Sequence, residues 1–400
     1  MPRPGRFVQL SLIRNDAAEQ TRPSAGKVVC GIRLAAMLAT TACAHSDAFQ
    51  TTLPPRDNDP FDAAIPVRLT YDAGIDGFQS FSPDGSKLLF AFQPRDRPDN
   101  DRCIGVMPAG GGPREEFCDN TGVGAFLTDA LEYPAVNAQG DLLYARYVSG
   151  IGDFIANTGE TTLRLARIEA PREGRIILQL PTMINAVGMT RIGTIRWADA
   201  TTFYFVAEEM TLARNPISRT FHDTVTFGRG LVRGRVNGTE ATFEAVNGIV
   251  DASGFDLSAG RDTIFFTRTN DSRLYAVAVS ASVARVVHES PRVGGRPRVL
   301  RDPVRTGNLV LAVSQDIDLG TPPLYPAGLA PNVRIERIRT DTGEWATLLA
   351  AGGLFPAFGR LAVSPDGCTL VSEFRRFESV SFTTDLHAIC LGQGVPCRCG

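Results

Sequence analysis

Two segments that lie far apart in the chain carry nearly the same pattern: an apolar strand, a tight turn and a second apolar strand. They are residues 78–90 (FQSFSPDGSKLLF) and residues 360–372 (RLAVSPDGCTLVS). In both Ser-Pro-Asp-Gly turns the proline presets φ, and the glycine takes the left-handed conformation that reverses the chain. A duplicated strand–turn–strand unit indicates a fold built from repeated β-sheets.

Degenerate copies of this unit lie between the two, at a spacing of roughly 45–60 residues. Six units can be counted, and they begin at Asp76, Tyr133, Gly193, Gly254, Arg296 and Gly359. The sixth unit lacks a fourth strand, whereas residues 65–70 precede the first unit and have the pattern of an outermost strand. We therefore expect an all-β fold, a six-bladed β-propeller closed by an N-terminal strand around Val67 that pairs with the last blade beside His387, because closure removes an unpaired sheet edge.

Composition supports a large core and argues against one class of partner. Hydrophobic residues make up 43% of the 400 residues, and 39 Gly and 26 Pro suit many short strands joined by turns. The formal net charge is −2, with no basic stripe of the kind that nucleic-acid-binding proteins present. No nucleic-acid partner is expected.

The N-terminal region has the pattern of an export signal. An apolar stretch, residues 34–42, follows Lys27 and Arg33 and is too short to span a bilayer. The pair Ala42-Cys43 resembles a bacterial lipobox, which makes Cys43 the expected lipid-attachment residue. The alternative is ordinary cleavage near Ala42 or Ala44, which would give a soluble secreted protein.

These features predict the organisation of the chain. Residues 1–42 form the signal segment, of which residues 1–26 fit no signal and indicate a mis-assigned start, with the true start near Val28 or Val29. Polar, Pro-rich residues 43–62 form a flexible tether, and residues 63–400 form the propeller. The expected location is the periplasmic side of the bacterial cell envelope, with the protein anchored to a membrane by lipid.

Six cysteines remain after the signal, which agrees with an oxidising compartment. Hairpin geometry predicts two disulfides, Cys103 with Cys118 and Cys368 with Cys390, because each pair lies at facing strand positions. Cys397 and Cys399 form a third bridge or stay free. The alternative is a metal site of Cys390, Cys397, Cys399 and His387, although that spacing lacks the Cys-x-x-Cys pairs of structural zinc sites.

The first unit, from Phe78 to Phe117, resembles the TolB-type propeller repeat. Its Ser-Pro-Asp-Gly turn joins the first two strands, and a hairpin over residues 104–114 (IGVMPAGGGPR) joins the last two. The last unit matches this repeat well only at its turn, and the middle four match in pattern. The resemblance covers roughly 330 residues and implies a six-bladed propeller, a fold that serves many unrelated activities.

No catalytic or cofactor motif is visible. The Gly-x-Ser-x-Gly motif of the hydrolase domains attached to some propellers is missing. The four histidines, His45, His222, His288 and His387, are too few to build a propeller metal site. Two acidic stretches, residues 316–318 and residues 96–101, are weak calcium candidates that lack the full set of ligands. We therefore expect no catalytic residues, no metal and no cofactor, and a chain that is not an enzyme.

Surface loops are then the expected functional elements, and the longest are residues 149–160, 210–229 and 316–332, the last with Tyr325. The predicted function is an exported, lipid-anchored scaffold in the cell envelope that binds a protein or peptide partner. The alternative is an enzyme or small-ligand binder that uses the central channel. A convergent cluster of Asp, Glu and Arg at one channel mouth would favour this alternative.

Overall fold

The strand–turn–strand units form six antiparallel sheets in the computed structural model of the chain. The structure describes residues 66–71, 74–94, 101–118, 127–150, 160–181, 183–185, 188–214, 221–291, 298–316, 333–350, 357–378 and 381–391. These ranges belong to the compact unit formed by Ala48–Gly400 and contain no helix, so none of them includes a helix that could cross a membrane. The predicted signal segment, the tether and Cys43 lie outside the described residues.

The first strand, β1 (Val67–Arg68), belongs to the last sheet. Blade 1 consists of β2 (Asp76–Phe81), β3 (Lys87–Phe92), β4 (Cys103–Pro108) and β5 (Glu115–Phe117). Blade 2 consists of β6 (Leu127–Val136), β7 (Asp141–Gly150), β8 (Glu160–Arg167) and β9 (Ala170–Pro181). Blade 3 has five strands, β10 (Met183–Asn185), β11 (Gly188–Trp197), β12 (Thr202–Arg214), β13 (Phe221–Asn237) and β14 (Glu240–Val250).

The remaining three sheets complete the ring. Blade 4 consists of β15 (Ala252–Leu257), β16 (Thr263–Arg268), β17 (Arg273–Ala278) and β18 (Arg285–Glu289). Blade 5 consists of β19 (Arg298–Thr306), β20 (Leu309–Asp316), β21 (Val333–Arg339) and β22 (Trp345–Ala350). Blade 6 consists of β23 (Ala357–Val363), β24 (Thr369–Glu378), β25 (Ser381–Cys390) and β1. The first inner strand of each blade contacts that of the next, and β23 contacts β2, so the six blades surround one axis.

The N-terminal strand closes the ring as the sequence predicted. Val67 pairs with Ala388 and Arg68 pairs with His387 in an antiparallel ladder. The pairing continues beyond β1, because Leu69 N donates to Leu386 O at 2.8 Å. The Arg68 guanidinium also donates to the fully buried Asp385 carboxylate at 2.8 Å. Closure therefore joins two distant parts of the chain by backbone hydrogen bonds and by the Arg68–Asp385 salt bridge.

The two Ser-Pro-Asp-Gly turns have the same hydrogen bonds. In the first, Gly85 has a φ of 72° and donates to Ser82 O, while Lys87 N donates to Ser82 Oγ at 2.9 Å. In the second, Gly367 has a φ of 76° and Thr369 N donates to Ser364 Oγ at 2.8 Å. The serine therefore caps the turn and the glycine supplies its left-handed backbone.

The core lies between neighbouring blades. One cluster joins Leu143 and Leu163 of blade 2 to Phe203 and Phe205 of blade 3, and all four side chains are buried. Burial of each such side chain contributes about 1.5–3 kcal/mol, so packing between sheets stabilises the ring.

One predicted insertion is part of a sheet. Most of residues 210–229 extend the β12–β13 hairpin, with Met210 paired to Thr226 and Arg214 paired to Phe221. The prediction that this segment is a loop was wrong. The two strands extend past the other strands of the blade, because each satisfies the backbone hydrogen bonds of the other. Residues 151–159 and 317–332, which include Tyr325, lie outside the described residues.

The cysteines follow the prediction in part. A disulfide joins Cys103 to Cys118, whose Cα atoms are 4.6 Å apart. Cys368 and Cys390 are also disulfide-bonded. The strand register places Thr369, not Cys368, opposite Cys390, so the expected facing arrangement is displaced by one residue and the Cys368–Cys390 pairing stays a prediction. Cys397 and Cys399 lie outside the described ranges.

Candidate functional site in the central channel

A β-bulge interrupts the innermost long strand of every blade. The extra residues lie within 78–79 of β2, 133–134 of β6, 193–194 of β11, 253 of β15, 302–303 of β19 and 359–360 of β23. A bulge leaves its residues outside the ladder and redirects their side chains, and bulges are common next to active sites. The six bulges therefore turn irregular backbone toward the axis of the ring.

The backbone at three of these bulges is in an uncommon conformation. Phe78, Tyr133 and Asp302 have φ values of 58°, 55° and 50°. Such left-handed backbone at a residue other than glycine costs about 1–3 kcal/mol and occurs preferentially at functional sites. Tyr133 and Asp302 are each followed by a proline, which has no N–H to donate to the neighbouring strand and is therefore confined to bulges or edges.

The bulges surround one cavity, to which each of the six inner strands contributes. Its lining includes Phe78, Tyr133, Thr194, Phe255, Asp302 and Arg360. The volume of the cavity is about 20 Å³, and one water molecule needs about 10–15 Å³. The enclosed part of the cavity is therefore small, and a ligand bound there would extend from it toward solvent. We call it the channel site.

Arg360 is the central cation of the channel site. Its guanidinium lies 4.1 Å from the centre of the Phe78 ring and 4.9 Å from that of Tyr133, and it donates to the Tyr133 hydroxyl. The Phe78 and Tyr133 rings meet edge to face at 4.6 Å. Stacking on aromatic rings holds an arginine in place and leaves the edge of the guanidinium directed to its acceptors.

Glu373 of β24 contacts both Phe78 and Arg360. Its carboxylate accepts from Phe78 N at 2.7 Å and lies 3.8 Å from Arg360 Nη1. A Cβ atom on Gly77 would lie 2.5 Å from Glu373 Oε1, and one on Gly359 would lie 2.2 Å from Glu373 Oε2. Both glycines are therefore required by the close approach of this carboxylate.

A second carboxylate, Glu132, lies between two arginines. Arg102 donates to it, and Arg191 Nη2 lies 2.7 Å from its Oε1. Burial would raise the pKa of Glu132, but the charges of Arg191 and Arg102 outweigh burial and hold the pKa below its usual range. Arg102 also lies 4.9 Å from the Phe78 ring centre, so this ion-pair group adjoins the channel site.

Asp302 differs from the other carboxylates. Burial raises the pKa of Asp302, and the charges of Arg360 and Arg301 oppose this rise only in part. Among the described residues, no hydrogen bond or ion pair at 4.0 Å or less satisfies its carboxylate. A carboxyl group with a raised pKa in a concave site is a candidate for ligand contact or proton transfer.

Gln79 supplies a buried acceptor. Its Nε2 donates to Arg360 O at 2.6 Å and to Val371 O at 3.1 Å, which fixes the orientation of the amide. The residue is 3% exposed and lines the channel site, and its Oε1 has no hydrogen-bond partner within the described part of the chain.

The sequence prediction named none of these residues as functional. The structure brings together Arg102, Glu132, Asp302, Arg360 and Glu373, which is the convergent cluster that was expected to favour the small-ligand alternative. One sequence signal could have located it: Pro134 and Pro303 occur inside otherwise regular inner strands, where a proline indicates a bulge.

The other residues considered from the sequence lie elsewhere. His288 is on β18 and His387 is on β25, away from the innermost strands, while the side chain of His222 and all of His45 are not described. Within the described ranges, no three His, Cys, Asp or Glu side chains come together as a metal site requires. Asp318 and most of residues 96–101 lie outside those ranges.

The fold and site together define a six-bladed β-propeller with a charge-lined site in its central channel. No family model matches the sequence, and no curated protein matches it. Solved structures with a similar fold include an oligogalacturonate lyase from Vibrio parahaemolyticus, with 16% identity and a TM-score of 0.44 over 79% of this chain and 80% of that one. A gluconolactonase from Xanthomonas campestris has 12% identity and a TM-score of 0.48 over 83% and 91%.

TolB from Acinetobacter baumannii has 10% identity and a TM-score of 0.44, over 78% of this chain and 65% of TolB. At these identities the similarities concern the fold alone. The TolB resemblance noted from the repeat implied a six-bladed propeller, and the sheet topology of this chain confirms that fold.

The prediction that the chain is not an enzyme was wrong. It rested on the missing hydrolase motif and the small number of histidines. Proteins of the same fold include the lyase and the gluconolactonase, which are enzymes, although their sequence identity to this chain is low. The Gly-x-Ser-x-Gly motif belongs to one class of hydrolase, so its absence was not a sufficient basis for a prediction about enzymes in general.

Proposed function

We propose that the protein binds a small anionic ligand at the channel site, with Arg360 as the principal contact. The observation that carries the proposal is the convergence of all six inner strands on one small cavity that contains Arg360 and Asp302. Small-ligand sites are concave and hold a few convergent polar groups on a rigid frame. The ring supplies that frame, and the bulges supply the polar groups.

The charges around the cavity support an anionic ligand. Arg102, Arg191 and Arg360 all act on Glu132, and Arg360 also lies near Glu373, which gives three guanidinium groups against two carboxylates. Burial raises the pKa of Asp302, because it disfavours the charged form of this carboxyl group. Arg360 has a side chain 32% exposed, the most of these groups, and a guanidinium fork matches a carboxylate or phosphate.

Titration with small anions tests this function. Acetate and phosphate would be added to the 15N-labelled protein, and amide shifts would be followed by NMR. We expect saturable shifts for residues of the inner-strand bulges, and their loss in Arg360→Gln. Arg339→Gln removes an exposed guanidinium that pairs with Asp341 on blade 5, and it serves as the matched control. Absent shifts, or equal binding by Arg360→Gln, would contradict the proposal.

Export and lipid anchoring are proposed on the sequence pattern alone. The basic residues before the apolar stretch and the Ala42-Cys43 pair support a location on the periplasmic side of a bacterial membrane. Cys43→Ala should move the protein from the membrane fraction to the soluble fraction. Cys368→Ala, which leaves the lipobox intact, should keep it in the membrane fraction. Retention of Cys43→Ala on membranes would contradict the anchor.

A protein or peptide partner is a second candidate function. The β12–β13 hairpin favours it, because strands of 13 and 17 residues are longer than any other pair in the described sheets. A chain in which a short Gly-Ser turn replaces residues 211–225 should lose a co-purifying envelope partner and keep anion binding. A partner that stays bound to this shortened chain would argue against the hairpin.

A further inference from the structure

The channel site is lined by a cation and an anion that do not pair with each other. Arg360 of blade 6 and Asp302 of blade 5 both line the cavity. Within the described part of the chain, the Asp302 carboxylate has no hydrogen bond and no ion pair at 4.0 Å or less. Arg360 is nevertheless close enough for its charge to act on that carboxylate. A gap between two opposite charges therefore lies inside the site.

The Asp302 carboxylate is poorly solvated although the residue is partly exposed. Exclusion of water by the surrounding protein is the largest influence on this group and raises its pKa. A carboxylate in such a place is costly without a counter-ion or a hydrogen-bond donor. A cationic N–H group on a ligand would supply both, and it would favour the charged form of Asp302 again.

The size of the cavity limits which cation can enter. Its volume is about 20 Å³, and one water molecule needs about 10–15 Å³. An ammonium group has a single non-hydrogen atom and is close to water in size, so it fits the enclosed part. A guanidinium or a trimethylammonium group does not. The remainder of the ligand would lie toward solvent, where the Arg360 side chain is 32% exposed.

We propose that the channel site recognises amino acids in their zwitterionic form, with the ammonium group donating to Asp302 and the carboxylate bound by Arg360. This inference rests on the proposed function and specifies its ligand class. The ammonium nitrogen alone occupies the enclosed part of the cavity, and the side chain of the amino acid extends toward solvent. Asp302 then determines specificity, while Arg360 determines whether a carboxylate binds at all.

Glycine and acetate form the test pair, because glycine is acetate with an added ammonium group. Both would be titrated at neutral pH in the NMR experiment described above. We expect glycine to bind the wild-type protein about tenfold to a hundredfold more tightly than acetate, the range for a hydrogen bond to a charged group. Trimethylglycine carries the same two charges without an N–H donor, and it should bind no more than about twofold more tightly than acetate.

Asp302→Asn tests the residue, because it keeps the size of the side chain and removes its charge. Asparagine tolerates the left-handed backbone at this position, where φ is 50°. The variant should bind glycine and acetate within about twofold of each other, with acetate affinity unchanged or higher. Asp341→Asn is the matched control, because the Asp341 side chain is on the same blade and 51% exposed, and it should keep the full glycine preference.

The outcomes separate this proposal from the one on which it rests. Equal binding of glycine and acetate by the wild-type protein overturns ammonium recognition and leaves small-anion binding intact, whereas failure of both to bind overturns both proposals. A glycine preference that survives in Asp302→Asn overturns the role of Asp302. If that variant does not fold, the wild-type protein still decides, because trimethylglycine that binds as tightly as glycine rules out an enclosed ammonium group.

Discussion

Removal of Glu336 should strongly destabilise the protein, because this buried carboxylate joins blades 4 and 5. Glu336 is 0% exposed and accepts from Arg298 Nη1 at 3.0 Å and from Ser314 Oγ at 2.6 Å. Ser290 Oγ lies within 3.3 Å of both carboxylate oxygens. Burial lowers the pKa of the nearby His288, so Arg298 supplies the compensating charge near neutral pH.

The magnitude follows from these contacts. Removing one partner of a buried ion pair costs about 3–5 kcal/mol, which is our expectation for Glu336→Ala. Glu336→Gln keeps the volume and the acceptor oxygen but loses the charge, so two hydrogen bonds weaken by about 1 kcal/mol each, or about 2 kcal/mol in total. At about 2.1 cal/mol/K per residue over about 330 residues, a loss of 3–5 kcal/mol lowers Tm by about 4–7 °C.

Urea unfolding at 25 °C, followed by tryptophan fluorescence, would measure the free energy of unfolding. Glu344→Ala on the same blade is the matched control, because the Glu344 side chain is 74% exposed and its loss should change stability by less than about 0.5 kcal/mol. The double variant Arg298→Met, Glu336→Leu should be clearly more stable than the sum of its single variants. A loss below about 1 kcal/mol in Glu336→Ala, or strict additivity in the double variant, would refute the reasoning.

Three further predictions follow from the fold. Gly359→Ala places a Cβ 2.2 Å from Glu373 Oε2, so it should lower the free energy of urea unfolding by about 1–3 kcal/mol, whereas Gly110→Ala, with open space around it, should not. Removal of residues 1–71 deletes β1 and the buried Leu69 and should cost at least about 2 kcal/mol in the same assay, whereas removal of residues 1–62 should cost nothing measurable. Hydrogen bonds from Ser82 and Ser86 lower the pKa of Asp84 to about 2. The ionised Asp84 carboxylate therefore stabilises the folded protein above about pH 4, and this stabilisation is lost as the pH falls toward 2. The stability difference between the wild type and Asp84→Asn should therefore shrink over that pH range, and a difference that stays constant would contradict the assignment.

Local patterns in the sequence were sufficient for the architecture. The Ser-Pro-Asp-Gly turns at Ser82 and Ser364 are stabilised by hydrogen bonds within six consecutive residues, so their geometry can be predicted from the local sequence. Closure by β1 followed from counting strands, because a missing partner in the last blade and an extra strand before the first have one simple solution. The length of the β12–β13 hairpin was missed because a hairpin strand and a polar loop can have similar composition.

The channel site is assembled from all six blades, and it was not predicted from the sequence. Phe78 and Arg360 are separated by almost the whole ring in the chain, and they stack because blades 1 and 6 are neighbours after closure. The Glu132 ion pairs likewise join β6 to Arg191 on β11. The contacts of these residues depend on the direction in which each bulge orients its side chains, and no local sequence pattern specifies that direction.

The amino-acid sequence alone determined the repeat, the number of sheets and the Cys103–Cys118 hairpin, because each depends on contacts between strands that follow one another in the chain. It determined the closing strand through the strand count, because the last blade lacked one strand and an extra strand preceded the first blade. Only the tertiary structure decided that Arg360, Asp302 and Gln79 share one cavity. Ring closure and the six bulges bring these three residues together. The contacts that stabilise their arrangement are made between residues far apart in the chain, so no local pattern predicts them.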